Sequence, residues 1–481
     1  MPKLITTIDS AVRRKNARRC KERGIILPTL RQQMYPDTIP DAIKQQLQPI
    51  GLWDVDPLNL FRITWKNDIH SGLFGQPNFF ELPSSLTGVP ARIIGMVGKY
   101  FPTGAHKVGA AYGCLAPRLV SGTFDPEFDK AVWPSTGNYC RGGAFDCALL
   151  ACPAVAILPE EMSPERFSWL REIGAEVIAT PGCESNVKEI YDKCAELRTD
   201  PHNVILNQFD EFGNPFWHYH VTGNAIQEAW ELVKTPSSRM SGFVSATGSA
   251  GTIAAGDFLK TLFPLLKTTA SEALECPTLL LNGFGGHRIE GIGDKHVPWV
   301  HNVRHTDAVA AIRDEDCLRL LRLFNEPAGQ EFLIGEGVPE AVVRKLPLLG
   351  ISSIANLLAS IKQAKYFEYN QDDVVFTIFT DSADLYRSRI EEQKALKGDY
   401  TSRQAALDLE AALNCQQIDN YLELSYRDKK RVHNLKYYTW VEQQGKTYEE
   451  ILRQWEPEYW TETFENNLDA LDAAIEEFNA L

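Results

Sequence analysis

An α/β fold built on parallel strands is what this sequence predicts, and three observations predict it. From about residue 91 onward, short apolar runs alternate with helical stretches, the grammar of strands joined by crossover helices. Turns rich in glycine, serine, threonine and asparagine separate them. The chain of 481 residues, 44% hydrophobic and 23% charged, has the make-up of a globular protein with a large core.

The elements follow in order. Strands are expected at 91–97, 130–133, 154–158 and 176–179, and helices at 104–119, 142–152, 163–173 and 185–196. The pattern resumes with strands at 242–245, 277–281 and 374–379 and helices at 252–262, 308–324 and 351–365. Such repetition implies parallel strands with helices on both faces. Before residue 90 the chain reads differently. A basic segment from Arg13 to Arg23 predicts a solvated helix, and Pro28, Pro36, Pro40, Pro49 and Pro57 then suggest an extended arm over the core or a neighbouring subunit. Beyond about 390 the chain is charged and helical, with aromatic interruptions at Tyr437, Tyr438, Trp440, Trp455 and Trp460.

Composition excludes some function classes. A net charge of −14 argues against nucleic acid and anionic membranes as partners, since binding them needs clustered Lys and Arg. The first residues are too polar for a signal peptide, and no apolar run approaches the roughly 18 residues of a membrane span. The ten cysteines form no C-x-x-C pair and no zinc spacing, so they read as reduced thiols and predict a cytoplasmic protein. No metal site is expected. His218 and His220 lack a third ligand of suitable spacing.

Five short motifs carry chemistry when taken together. Lys107 sits among small residues (Thr103-Gly104-Ala105 before it, Val108-Gly109-Ala110 after it), which suits an amine held in one place and partly desolvated. Ser135-Thr136-Gly137-Asn138-Tyr139 lies between a strand and a small-residue helix, where amides and hydroxyls suit a carboxylate. Gly248-Ser249-Ala250-Gly251-Thr252 joins a strand to a helix and lets phosphate oxygens approach the amides and the helix dipole. It lacks the Gly-Lys-Ser/Thr ending of a P-loop and the G-x-G-x-x-G spacing of a dinucleotide site. Gly291-Ile292-Gly293 is a further small-residue turn. Thr380-Asp381-Ser382 ends an apolar strand with three polar groups. Each motif alone would serve as an ordinary turn. In this order they read as one pyridoxal phosphate site: an amine for the aldehyde, an asparagine loop over it, a nest for the phosphate and a hydroxyl for the ring nitrogen.

The ordered set resembles the β-family, fold type II, of pyridoxal phosphate enzymes over residues 91–390. Thr103-Gly104-Ala105-His106-Lys107 is most similar to the tryptophan synthase β chain. The Thr136-Gly137-Asn138 loop, Gln208-Phe209, the glycine-rich segment 285–293 and the segment 381–386 are similar to cysteine synthase and cystathionine β-synthase. The resemblance implies two doubly wound, mostly parallel open-sheet subdomains. It divides the chain into an N-terminal arm (1–90), a catalytic core (91–390) with a smaller mobile subdomain inserted at about 125–235, and a helical C-terminal extension (391–481). It also implies that Lys107 carries the Schiff base, that Asn138 contacts the cofactor's phenolic oxygen, and that Gly248, Ser249, Ala250, Gly251 and Thr252 bind phosphate. Ser382 would face the pyridine nitrogen, and Ser135, Thr136, Gly137 and Gln208 would bind the carboxylate of a small amino-acid substrate. A homodimer is implied as well. The asparagine loop carries no glutamate to activate indole, so tryptophan synthesis is not expected.

A neutral hydroxyl at the ring nitrogen leaves the cofactor a weak electron sink. That favours loss of a β-leaving group as the α-proton is removed, with Lys107 as base. The expected activity is β-replacement on an activated serine through an aminoacrylate. The alternatives are a β-eliminating lyase or deaminase acting on serine, threonine or cysteine derivatives, and a non-catalytic regulatory protein that binds the cofactor.

Overall fold

The computed structural model describes residues 2–135, 137–183, 186–293 and 295–481. Its strands run, in chain order, β1 (Asn67–Asp68), β2 (Leu73–Phe74), β3 (Phe79–Leu82), β4 (Arg92–Val97), β5 (Lys130–Pro134), β6 (Ala154–Pro159), β7 (Glu176–Thr180), β8 (Asn203–Ile205), β9 (Arg239–Ala246), β10 (Lys267–Ala273), β11 (Ala308–Ile312), β12 (Asp373–Phe379) and β13 (Tyr421–Glu423). β1 and β2 form a small antiparallel hairpin. The rest divide into a seven-stranded sheet, ordered β13-β11-β10-β9-β12-β4-β3, and a four-stranded sheet, ordered β7-β6-β5-β8.

The smaller sheet is parallel throughout. In the larger one the pairs from β11 across to β4 are parallel, and only the two outermost strands, β13 and β3, run antiparallel to their neighbours. Those edges come from the two ends of the chain: β3 precedes residue 90 and β13 follows residue 390. The extensions thus finish the main sheet by covering two parallel edges that would otherwise expose unpaired backbone.

Burial explains the parallel centre. All seven residues of β12 are buried, as a strand covered on both faces requires. The helix Ile351–Tyr366 packs on β9, β10, β11 and β12 and buries residues on nearly every side. The other face is covered by a core cluster that includes Ile94, Met96, Phe243, Val374, Phe376 and Ile378, and the helix Lys107–Ser121 packs on the helix Asn138–Leu149.

Three expectations change. The run 277–281 is a short helix, Thr278–Leu281, since a brief apolar run does not tell strand from helix. The stretch 308–324 is two elements, β11 and the helix Asp314–Asn325. The acidic start Asp314-Glu315-Asp316 complements that helix's N-terminus and marks the break. β10, which lies between β9 and β11 in the sheet, is a Thr- and Ser-rich strand with no apolar alternation. It is buried between its neighbours, and Thr269 shares a 2.9 Å hydrogen bond with Tyr421.

The basic N-terminal helix, Ser10–Glu22, is capped by Asp9 and is not wholly solvated. Asn16, Ala17 and Cys20 are buried, and Asn16 Nδ2 donates to the carbonyls of Leu119 and Phe124. The helix expected at 185–196 runs Val187–Leu197, and Ser185 lies outside the described residues. No helix among the described residues is long and apolar enough to cross a membrane.

Candidate active site

The C-terminal ends of parallel strands from both sheets meet at one cleft, where open α/β sheets bind ligands. Its lining includes Lys107, Ser135, Asn138, Gln208, the residues Gly248 to Thr252 and Thr380, and it encloses about 590 Å³ including its mouth.

Lys107 is the first residue of its helix and the only lysine among the described residues lining the cleft. Its Nζ donates to Ser249 Oγ at 2.9 Å. Ser249 is itself held by Asn214, whose Nδ2 donates to Ser249 Oγ (3.0 Å) and to the Gln208 carbonyl (2.8 Å). Gln208 Nε2 in turn donates to Ser135 Oγ at 3.2 Å, and the Gly137 amide donates to the same hydroxyl at 3.1 Å. Motifs spread over more than a hundred residues thus form one hydrogen-bonded chain. Thr136 lies outside the described residues.

The nest behaves as an anion site should. Ala250 takes a left-handed backbone, φ 56°, which turns successive amides toward one side. The Gly251 amide donates to Ser249 Oγ. The amides of Gly248, Ser249, Ala250 and Thr252 donate to no other described residue. Buried amides without a protein acceptor call for a ligand that supplies one. Together with the half-buried Lys107 amine beside them, they fit the phosphate and aldehyde of pyridoxal phosphate.

A search against known families and proteins agrees. Residues 99–333 match the family described as pyridoxal-phosphate dependent enzyme. A probable cysteine synthase of Bacillus subtilis is 30% identical over 289 residues, 60% of this chain and 85% of that protein. The chain belongs to the pyridoxal-phosphate dependent enzymes. A cystathionine beta-synthase of Saccharomyces cerevisiae is 27% identical over 330 residues, 66% of this chain and 61% of that protein. Among solved structures, a cysteine synthase of Entamoeba histolytica superposes with a TM-score of 0.57 at 23% identity, over 71% of this chain and 93% of that one. The fold is type II, and the cofactor of this pyridoxal-phosphate dependent enzyme is pyridoxal 5'-phosphate.

Asn138 donates through Nδ2 to Asp381 Oδ2 at 2.6 Å, and its buried Oδ1 has no partner among the described residues. Asp381 is fully buried, which pushes its carboxyl up, while Arg166, Asn138 and Tyr386 pull it down. Tyr386 donates to the same oxygen at 2.8 Å, and Arg166 donates to Tyr386 at 3.1 Å. Arg166 also pairs with buried Glu290 (3.0 Å), which holds Arg389 at 2.6 Å. Arg166 explains Gly137 too: a Cβ there would lie 1.3 Å from its guanidinium nitrogen.

Ser382, expected at the ring nitrogen, is not among the residues that line the cleft. β12 ends at Phe379, and the next residue, Thr380, is the one that lines the cleft. By Ser382 the chain has turned away; its hydroxyl donates to Asp384 at 3.3 Å within a turn. With Thr380 as the ring partner, Ser382→Ala is expected to change kcat/KM by no more than about tenfold, the worth of one ordinary hydrogen bond. Thr380→Val should shift the absorbance of the bound cofactor. An equal shift from Ser382→Ala, with none from Thr380→Val, would return the ring contact to Ser382.

Sequence reasoning does not reach several lining residues. His106, next to Lys107, is fully buried; burial and the adjacent Lys107 hold its imidazole well below the usual histidine range, hence neutral. Its Nε2 lies 3.3 Å from Thr252 Oγ1, and the ring of His218, also held neutral by burial, is 5.0 Å away. His220 turns elsewhere, to the Phe464 carbonyl. Asn356 comes from the helix Ile351–Tyr366 and donates to the Ile378 carbonyl, with its buried Oδ1 unpartnered.

Proposed function

We propose that this enzyme catalyses β-replacement on an activated serine, in the manner of a cysteine synthase. The observation that carries the reading is the convergence of one half-buried lysine, a nest of amides and a Ser135–Gln208 pair on a single cleft. The sequence relation to a cysteine synthase supports it. When bound, pyridoxal phosphate supplies an aldehyde for a primary amine and a conjugated ring that draws electrons from the α-carbon.

The chain's own groups do the rest. The amides of residues 248–252 hold the phosphate, with Thr252 and neutral His106 beside it. Ser135, Gly137 and Gln208 hold the substrate carboxylate, which orients the α-hydrogen. Lys107 Nζ, released when the substrate amine takes its place, accepts that α-proton as the β-substituent leaves. Its partner Ser249 Oγ keeps the freed amine near the reacting carbon rather than in solvent. Thr380 offers a neutral hydroxyl from the strand end, while the Asp381 carboxylate is engaged by Asn138 and Tyr386. Thr380 or Ser382 would each give the ring an uncharged partner, on which the preference for β-chemistry depends.

We further propose that the layer on the four-stranded sheet closes over bound substrate, and that the chain works as a cytoplasmic homodimer. Light scattering that gives twice the 54.0 kDa chain mass at micromolar concentration is the expected result for the dimer. Steady-state turnover of O-acetyl-L-serine tests the reaction. Cysteine formed only when sulfide is present supports replacement. Pyruvate released at the same rate with or without sulfide would make it an eliminating lyase, and no turnover with full cofactor loading would sink both.

A further inference from the structure

The C-terminal extension reaches the cleft wall, although it lies beyond the residues 99–333 matched by the family. Its contact point is Trp440, which is fully buried. The Trp440 indole Nε1 donates to the Val297 carbonyl at 2.8 Å, and its ring lies 6.1 Å from Trp299 and 5.7 Å from His296. These residues belong to the loop between β10 and β11 of the larger sheet. The same ring lies 6.1 Å from Tyr191, on the helix Val187–Leu197 that packs on the smaller sheet. Tyr191 and His296 complete the bridge with a hydrogen bond of 2.8 Å.

Phe209 closes this cluster. It lines the cleft next to Gln208, packs edge-on against His296 (5.2 Å) and Tyr191 (6.1 Å), and accepts a hydrogen bond at its carbonyl from the Val300 amide (3.2 Å). The extension grips the neighbouring residue too, as Lys446 pairs with Asp210 at 3.0 Å. Nearby, Lys436 is wholly buried and donates to the carbonyls of Trp299 (2.9 Å) and His301 (2.7 Å) and to Gln454 Oε1 (2.6 Å), with burial holding its ammonium well below the usual range. A buried lysine spent on two loop carbonyls fixes that loop to the extension, because removing it would leave both carbonyls without a donor.

We infer that Trp440, with Lys446, is a positioning device: the extension clasps both sheet layers and sets the Gln208–Phe209 wall that receives the substrate. This rests on the reading of Gln208 as a substrate-carboxylate contact.

The test compares the holoenzyme with Trp440→Ala, Trp440→Phe and Lys446→Ala, the last two chosen as substitutions the fold tolerates. Hydrogen exchange needs no substrate and reads the clasp directly. Peptides covering 187–197 and 207–212 are expected to exchange about tenfold faster in Trp440→Ala, and less so in the other two, while 374–379 is unchanged. With O-acetyl-L-serine, KM should rise about fivefold with kcat nearly constant, the signature of lost ground-state binding. Trp440→Phe, which keeps the ring but not the Val297 bond, should recover part of that loss. Faster exchange confined to 426–465 with KM unchanged overturns the proposal. Faster exchange at 187–197 and 207–212 in an enzyme that does not turn over O-acetyl-L-serine leaves the clasp standing and overturns the choice of reaction instead.

Discussion

Lys107→Ala is expected to lower turnover by about a thousandfold or more, since one residue then ceases to serve both as the covalent anchor and as the base. Its place at a helix start, with Nζ on Ser249, leaves no other described lysine in the cleft to substitute for it. The variant should still take up cofactor, because the amides of the nest are untouched, but it should hold it without a covalent bond. Borohydride treatment of the wild-type protein followed by peptide mapping should find the reduced adduct on Lys107, and the alanine variant should give none. Partial recovery of turnover by added small amines would separate loss of the base from misfolding. An adduct on any other lysine would remove the basis for every role assigned around it.

How much of this is legible in the sequence depends on how local the cause is. Lys107 and the nest of residues 248–252 stand at junctions between strand and helix, where small residues must occur consecutively, so they leave a compact mark. β4 and β12 are equally plain, since burial on both faces favours near-continuous apolar runs. β10 leaves no such mark. Its polar residues are buried between β9 and β11, and Thr269 meets the distant Tyr421, so a Thr-Ser run reads as a turn until the neighbouring strands are known. Asn356 hides for the same reason, as an amide in a helix of apolar and small residues whose purpose appears only beside β12.

The turn after β12 shows a finer limit. Side-chain alternation along a strand is readable, but it stops where the strand stops, and a shift of two residues separates Thr380 from Ser382. The network of Asn138, Asp381, Tyr386, Arg166 and Glu290 is likewise invisible along the chain. Its directly bonded members lie up to 243 residues apart and share no spacing. Trp440 reads as one of several aromatic interruptions; only the packing of Phe209 and Tyr191 around it gives it a role.

Gly251→Asp is expected to abolish cofactor retention, and Gly251→Ala to weaken it by roughly five- to a hundredfold, an overpacking cost of about 1–3 kcal/mol. The cause is a contact and not backbone strain, for Gly251 is absent from the left-handed residues. A Cβ there would fall 1.9 Å from Asn214 Oδ1 and 2.4 Å from its Cγ. Asn214 cannot yield without loss, because its Nδ2 holds both Ser249 Oγ and the Gln208 carbonyl. One methyl group therefore disturbs the nest, the partner of Lys107 and the carboxylate wall together. Aspartate adds a negative charge where the phosphate sits. Titration of the apo-protein with pyridoxal phosphate, followed by absorbance, measures the effect. A double-mutant cycle isolates its origin: in an Asn214→Ala background, where the obstructing amide is gone, Gly251→Ala should cost little further affinity. If the two losses simply add, the methyl group meets something other than Asn214, and the chain of hydrogen bonds from nest to wall is not what holds the cofactor.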